Sequence, residues 1–371
     1  MKTPNQPAYP RRSALRHRLA ALCLALAPLP ACAAEPPAAV AAEDDRAHRI
    51  DAAMTRLEEM GFKGVVAIAY DGMAPIYAGF GDGAGGRTPD ATTLLDSGSI
   101  TKTFTAAAAL KLIDEGKLQT SDRLGTFFPA APPEKARTTV HQMLTHSAGF
   151  PPAVGEDLDP LSREEFLKRA LAAELRFEPG SAYEYSNVGY SLVAAIIEQL
   201  SGKSYEAYIR EDLLADVEAP DIGYETAFDP NRSMLTDDGE TIDKASWGGR
   251  SHWALIGNGG MLVTAQDMIA FRRAFDARRL HSNAAVNLAQ TPMVREGDGA
   301  PTFTGYGMVV DDHPQFGRVY WHNGGNPHFI SNWSDYADHD VIIFASSDGT
   351  EVNGDMAVEA IAAELLLADR N

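Results

Sequence analysis

The sequence predicts an α+β fold: an antiparallel sheet built from both chain ends and flanked by helices, plus a helical subdomain over roughly residues 138–275. Three observations carry this. Short apolar runs bounded by turn residues cluster near both ends of the chain. Thr101–Glu115 and Val188–Leu200 show helical apolar spacing and stop at Gly116 and Gly202. Residues 138–275 alternate helical periods with long loops and hold no succession of strands. A chain of 371 residues admits one large mixed domain or two interleaved ones.

The elements follow in order. From Asp45 to Met60, Ile50, Met54, Leu57 and Met60 recur at helical spacing. Gly61 and Gly64 end that pattern. Val65–Tyr70 and Ile76–Phe80 then flank Asp71-Gly72, which predicts a hairpin. Near the other end, Tyr306–Val310, Arg318–Trp321, Phe329–Trp333 and Val341–Ser346 are four more strand-like runs, and a helix over Met356–Leu367 closes the chain. No repeat of solenoid or propeller period occurs.

Residues 1–34 contain no acid. They carry Lys2, Arg11, Arg12, Arg16 and Arg18, then the apolar stretch Leu19–Leu29, then the small residues Ala31, Cys32, Ala33 and Ala34. This is the order of a secretory signal peptide, and the apolar stretch is far short of the ~20 residues that span a membrane. The expected organisation is a signal peptide (1–34), an Ala/Pro-rich tether (35–44) and a folded domain (45–371) in an exported, periplasmic or secreted protein. Leu29-Pro30-Ala31-Cys32 is similar to a bacterial lipobox, which makes Cys32 a candidate lipid anchor, although Pro30 is unusual in that motif. Arg11-Arg12 matches a twin-arginine signal only weakly.

Charge and cysteines narrow the function classes. The net charge is −19 and becomes −24 once residues 1–34 are removed, so nucleic acid and anionic lipid surfaces are repelled. The two cysteines, Cys23 and Cys32, both lie in the leader, which excludes a Cys₄ zinc site, an iron–sulfur site and a disulfide scaffold. No metal or cofactor is expected. His141 and His146 lack metal-ligand spacing, and His146 reads as a structural turn residue.

Asp96-Ser97-Gly98-Ser99-Ile100-Thr101-Lys102 opens an unusually apolar helix. Residues three apart share a helix face, so Ser99 and Lys102 can be neighbours. A serine hydroxyl needs a base to become nucleophilic, and an amine serves once burial lowers its pKa. This is the only Ser-x-x-Lys in the chain. Two more segments stand out: Tyr185-Ser186-Asn187 before a helix, and Trp321-His322-Asn323-Gly324-Gly325 at a strand end.

Together Ser99-x-x-Lys102, Tyr185-Ser186-Asn187 and His322-Asn323-Gly324 resemble the three ordered motifs of the class C beta-lactamase and DD-peptidase superfamily of serine hydrolases. Flanking segments resemble the same family, including Met143–Gly149 and Gly259–Asp267, and the likeness runs from about Asp45 to the C-terminus. It implies a beta-lactamase/transpeptidase-like fold. It implies Ser99 as the acylated nucleophile, Lys102 as the group that takes its proton, and Tyr185 as a base beside it, its phenolate favoured by the ammonium. It implies that Asn187 bonds the substrate amide or the lysine. The backbone N–H groups of Ser99 and Gly325 would form an oxyanion hole, and His322, Asn323 and Gly324 would bind substrate.

The third motif departs from the Lys-Thr-Gly of many relatives, whose ammonium and hydroxyl grip a substrate carboxylate. Histidine with an ordinary pKa near 6.5 is mostly neutral at pH 7, and His322 is expected to gain its proton as pH falls toward 6. The reading is therefore hydrolysis of a small-molecule or peptide ester or amide, of esterase or D-amino-acid peptidase/amidase type. Beta-lactamase or DD-carboxypeptidase activity is the alternative within the class, and a non-catalytic ligand-binding relative is the rival outside it. Trp247, His252 and Trp253 line an acyl pocket or sit in the core, and His328 reads as a surface residue rather than one narrowing the site.

Overall fold

A computed structural model describes residues 38–83, 86–235, 239–241, 247, 250–349 and 351–367. The chain divides into two units, 1–44 and 45–371, and everything below concerns the second apart from the start of its first helix. The expected signal peptide and Cys32 lie outside the described residues. Helix α1 spans Ala38–Met60. The expected tether, 35–44, is thus helical from Ala38 on. The run Ala38-Ala39-Val40-Ala41-Ala42 explains this, because alanine has the highest helix propensity.

Both chain ends meet in one eight-stranded sheet, every neighbouring pair antiparallel, in the order β2-β1-β10-β9-β8-β7-β6-β5. The hairpin is β1 (Gly64–Tyr70) and β2 (Ile76–Phe80). The C-terminal strands are β5 (Val294–Arg295), β6 (Phe303–Thr304), β7 (Val309–His313), β8 (Gly317–Asn326), β9 (Phe329–Tyr336) and β10 (Val341–Ser347). Two differences from expectation stand out. The short β5 and β6 have no alternating pattern to betray them. The run Tyr306–Met308 is not strand: Gly307 turns there with φ +70 and packs on helix α2 (Thr101–Asp114), where an added Cβ would lie 2.7 Å from the Lys102 carbonyl oxygen.

Alternation along β1 sends its side chains to two cores. Val66 and Ile68 pack with Ile50 and Leu57 of α1 and with Val358 and Ile361 of the C-terminal helix (Gly354–Leu366). Val65, Ala67 and Ala69 face the larger core, with Phe104 of α2 and Phe271. Helix α2 is buried almost all round, as its Ala-rich composition requires. The helix Asn187–Ser201 packs against α2, whereas Ala265–Asp276 lies on β1 and β10, so the expected subdomain range 138–275 takes in a helix that covers the sheet. A two-residue ladder, β3 (Leu95–Asp96) with β4 (Leu262–Val263), ties the chain before Ser99 to the segment after Asn258.

Candidate active site

Ser99 sits in a 3₁₀ turn, Gly98–Ile100, that leads into α2. Gly98 has φ +48, a left-handed conformation suited to glycine, and its N–H donates to Asp96 Oδ1 at 2.6 Å. Burial pushes the Asp96 carboxyl up to about 7. An added Cβ on Gly324 would lie 2.2 Å from Ser97 O and 2.3 Å from Ser99 N, and one on Gly98 would lie 2.4 Å from Gly325 N. The glycines therefore let β8 run in direct backbone contact with the serine turn, which brings the Ser99 and Gly325 amides to one place.

One helical turn on, Lys102 has no exposed surface. Its Nζ donates to Ser99 Oγ at 3.0 Å and to the Asn258 carbonyl at 2.7 Å, and lies 4.7 Å from the Tyr185 ring centroid. Burial drives its pKa well below the ordinary 10.5, opposed by the Asp157 carboxylate. Asn258 is held by its own amide, which donates to Ser191 Oγ at 2.8 Å and the Ala254 carbonyl at 2.7 Å.

The Tyr185-Ser186-Asn187 segment is anchored by His146, a left-handed residue with φ +55. Its Nδ1 accepts from the Ser186 N–H at 3.0 Å, and its ring stacks on Tyr185 at 4.4 Å. His146 is thus the turn residue the sequence suggests. Ser186 caps the following helix, its side chain accepting from the Gly189 N–H. Asn187 opens that helix and lines the cleft beside Ser99, its buried Oδ1 without a hydrogen-bond partner. The Tyr185 hydroxyl interacts favourably with Ser99 in its ionised form, yet burial raises its pKa above the ordinary 10. This corrects the expected phenolate: desolvation outweighs the favourable Ser99 interaction, Glu296 adds to the rise, and the tyrosine stays protonated.

The third motif brings two corrections. His322 is buried, and its Nδ1 lies 2.6 Å from the Asn323 carbonyl, which only accepts, so Nδ1 carries the proton and Nε2 is an acceptor. Burial first, then Lys102, pushes its pKa down to about 3. His322 therefore does not gain a proton near pH 6. Asn323, expected to bind substrate, turns to the opposite face of β8. Its Nδ2 donates to Asp355 Oδ2 at 3.0 Å, while the cross-strand Asn332 donates to Oδ1 of the same carboxylate at 2.6 Å. Alternation along a strand accounts for this, since 322 and 324 share the face that meets Ser99.

Two separate pockets, or lobes, border these residues. One is walled by Ser99, Asp157, Leu158, Leu255, Asn258 and His328, so His328 borders the cleft instead of lying apart on the surface. Trp247 and Trp253 belong to the core: Trp247 donates to the Gly260 carbonyl at 2.6 Å, and Trp253 packs on Phe166. The other lobe is lined by Tyr185, Tyr190, Glu296, Thr304 and His322. Glu296, Asp157 and Asn258 carry no local signal in the sequence, and Asn258 stands 156 positions from the lysine it meets.

A serine within hydrogen-bond reach of a buried lysine and beside a glycine-rich strand, on a helix-flanked antiparallel sheet, agrees with a serine hydrolase of beta-lactamase type. The chain belongs to the Beta-lactamase family, which matches residues 47–368, and it is a serine hydrolase. It is similar to Penicillin-binding protein 4* of Bacillus subtilis (strain 168), 25% identical over 343 residues that cover 83% of this chain and 73% of that protein. It is also 25% identical to the D-alanyl-D-alanine-carboxypeptidase/endopeptidase AmpH of Escherichia coli (strain K12) over 58% of each chain. Among solved structures, the penicillin binding protein from Bacillus halodurans superposes with a TM-score of 0.72 at 22% identity, covering 84% of this chain and 98% of that one. The D-amino acid amidase from Ochrobactrum anthropi SV3 complexed with D-phenylalanine gives 0.74 at 19%, covering 86% and 99%. These two likenesses establish the fold.

Proposed function

We propose that the protein is an exported hydrolase that forms an acyl-enzyme at Ser99 and hydrolyses an ester or amide, of esterase or D-amino-acid peptidase/amidase type. The observation that carries this is the buried Lys102 amine, 3.0 Å from Ser99 Oγ and driven toward its neutral form. Lys102 takes the Ser99 proton as Oγ attacks the carbonyl carbon. The oxyanion receives the Ser99 and Gly325 N–H groups. As the tetrahedral species collapses, that proton passes to the leaving atom, with the Tyr185 hydroxyl as relay. Water then attacks the Ser99 ester along the same path in reverse roles. The unpartnered Asn187 Oδ1 favours substrates that present an amide N–H beside the scissile carbonyl.

A fluorophosphonate probe tests the mechanism. It should add one label, on the peptide carrying Ser99. Ser99→Ala should remove the label, and Lys102→Ala should slow it at least ~10²-fold, the scale of general-base loss. Labelling that persists in Ser99→Ala ends the proposal. A panel of nitrophenyl esters, D-amino-acid anilides and a cephalosporin sorts the substrate class. The similarity to AmpH favours a second reading, DD-carboxypeptidase or beta-lactamase activity, and a preference for the cephalosporin would establish it. For export, mass spectrometry of the mature N-terminus should find the chain starting near Glu35, or a diacylated Cys32. A full-length cytoplasmic product would contradict both.

A further inference from the structure

With Tyr185 relaying the proton to the leaving atom, the leaving group lies on the Tyr185 side of the carbonyl, toward the lobe that Tyr185 lines. Among the described residues, its one acidic or basic lining group besides histidine and tyrosine is a carboxylate. Glu296 borders it, its Oε1 taking a hydrogen bond from the Tyr183 hydroxyl at 3.2 Å. The His322 ring borders it with Nδ1–H turned away to the Asn323 carbonyl, which leaves Nε2 as a further acceptor. Among the described residues no arginine or lysine lines this lobe. Arg295, next to Glu296 in the chain, instead lays its guanidinium over the Phe303 ring at 4.5 Å and bonds the Ala300 carbonyl. The other lobe likewise has Asp157 and no cation on its wall.

We propose that Glu296 is a specificity-determining residue: its carboxylate, with the His322 acceptor beside it, selects leaving groups that carry a positive charge and rejects those that carry a carboxylate. This rests on the acyl-enzyme reading above. A carboxylate placed there would meet a like charge and a lone pair. An ammonium would find two acceptors and no competing cation.

The test uses three acetate esters of phenols, with a 4-(trimethylammoniomethyl), 4-methyl or 4-(carboxymethyl) substituent, each rate normalised to its own hydroxide-catalysed hydrolysis. The readout is the ratio of kcat/KM for the cationic ester to that for the anionic one. A change common to all substrates cancels in that ratio. Wild type should favour the cationic ester by about tenfold or more, and Glu296→Gln, which keeps an acceptor for Tyr183, should cut the ratio by roughly tenfold. Glu296→Lys should invert it. In wild type the ratio should shrink between low salt and ~0.5 M salt, a measurement that needs no variant. A ratio near one in wild type at low salt, or a ratio unmoved in both variants, overturns the proposal. If Ser99→Ala still hydrolyses the 4-methyl ester, the acyl-enzyme reading fails instead, so the two failures are separable.

Discussion

Lys102→Met should make the protein inactive and more stable. Methionine matches the length and volume of the lysine stem but carries no amine to desolvate. Where a folded lysine is neutral and its unfolded counterpart is charged, folding stability rises by about 1.4 kcal/mol per pH unit, because the unfolded state binds the extra proton. The fully buried Lys102, depressed well below 10.5 by desolvation, is driven toward this case, and the cost at pH 7 cannot exceed about 5 kcal/mol. Against this stand its bonds to Ser99 Oγ and the Asn258 carbonyl, whose loss costs about 1–3 kcal/mol together. The balance is a gain of at most about 2–4 kcal/mol at pH 7, or up to roughly 3–6 °C in Tm for a domain of this size, whose unfolding entropy is about 0.7 kcal/mol/K. The sign with pH follows from the depressed value. The penalty is present below the ordinary lysine pKa and fades as pH rises to it, so the advantage of the variant should shrink steadily from pH 7 to pH 10.5. Thermal unfolding of both proteins across that range, followed by circular dichroism or calorimetry, checks it. A variant less stable than wild type at pH 7, or an advantage independent of pH, would mean that Lys102 is a paired ammonium in the folded state. The base assignment would then fall.

Three further outcomes follow from the same geometry. His322, with a folded pKa of about 3 against an ordinary 6.5, contributes stability above pH 6.5 that is lost as pH falls toward 3; His322→Gln should flatten that acid limb, and its removal should erase no inflection near pH 6 in kcat/KM. Asn323→Ala should cost about 1–2 kcal/mol of stability through its lost bond to Asp355 while changing KM for a neutral ester less than about twofold; a tenfold rise in KM at unchanged stability would return the side chain to the substrate. Gly324→Ala should lower kcat/KM by at least ~10², since its Cβ meets Ser99 N at 2.3 Å, whereas Gly349→Ala, with nothing within 4 Å, serves as the harmless control.

What could be read from the sequence was local. Ser99 and Lys102 are one helical turn apart, so their contact follows from helix geometry alone. The hairpin around Asp71-Gly72 and the helix ended by Gly116 follow from turn chemistry. The face taken by Asn323 was also open to reading: once His322 and Gly324 are assigned to the cleft, period-two alternation sends 323 away, and only reading the motif as a unit hid this. What could not be read was whatever depends on packing. Glu296 stands in a glycine-rich turn that signals a hairpin and nothing more. The Asn258 carbonyl is a backbone atom, invisible in any side-chain motif. The protonation states of Tyr185 and His322 depend on burial, which a motif does not state, and in both cases burial is the largest cause of the shift.

That shared cause links the catalytic and the binding halves of the site. The desolvation that depresses Lys102, and so suits it to the base role proposed above, is the same desolvation that denies His322 its proton, for both side chains are buried and the lysine itself adds to the histidine's depression. A histidine made cationic enough to hold a carboxylate would need water around it. Water reaching that depth would also restore the ordinary pKa of the lysine and remove the base. With histidine at 322, acyl transfer by Lys102 and carboxylate recognition by His322 therefore compete. The burial favours the base: Lys102 is driven toward its neutral form, Tyr185 stays protonated and His322 neutral, and the carboxylates of Asp157 and Glu296 line the two lobes beside them. On the proposal above, selection by charge comes from those carboxylates and runs opposite to what a lysine at position 322 would give.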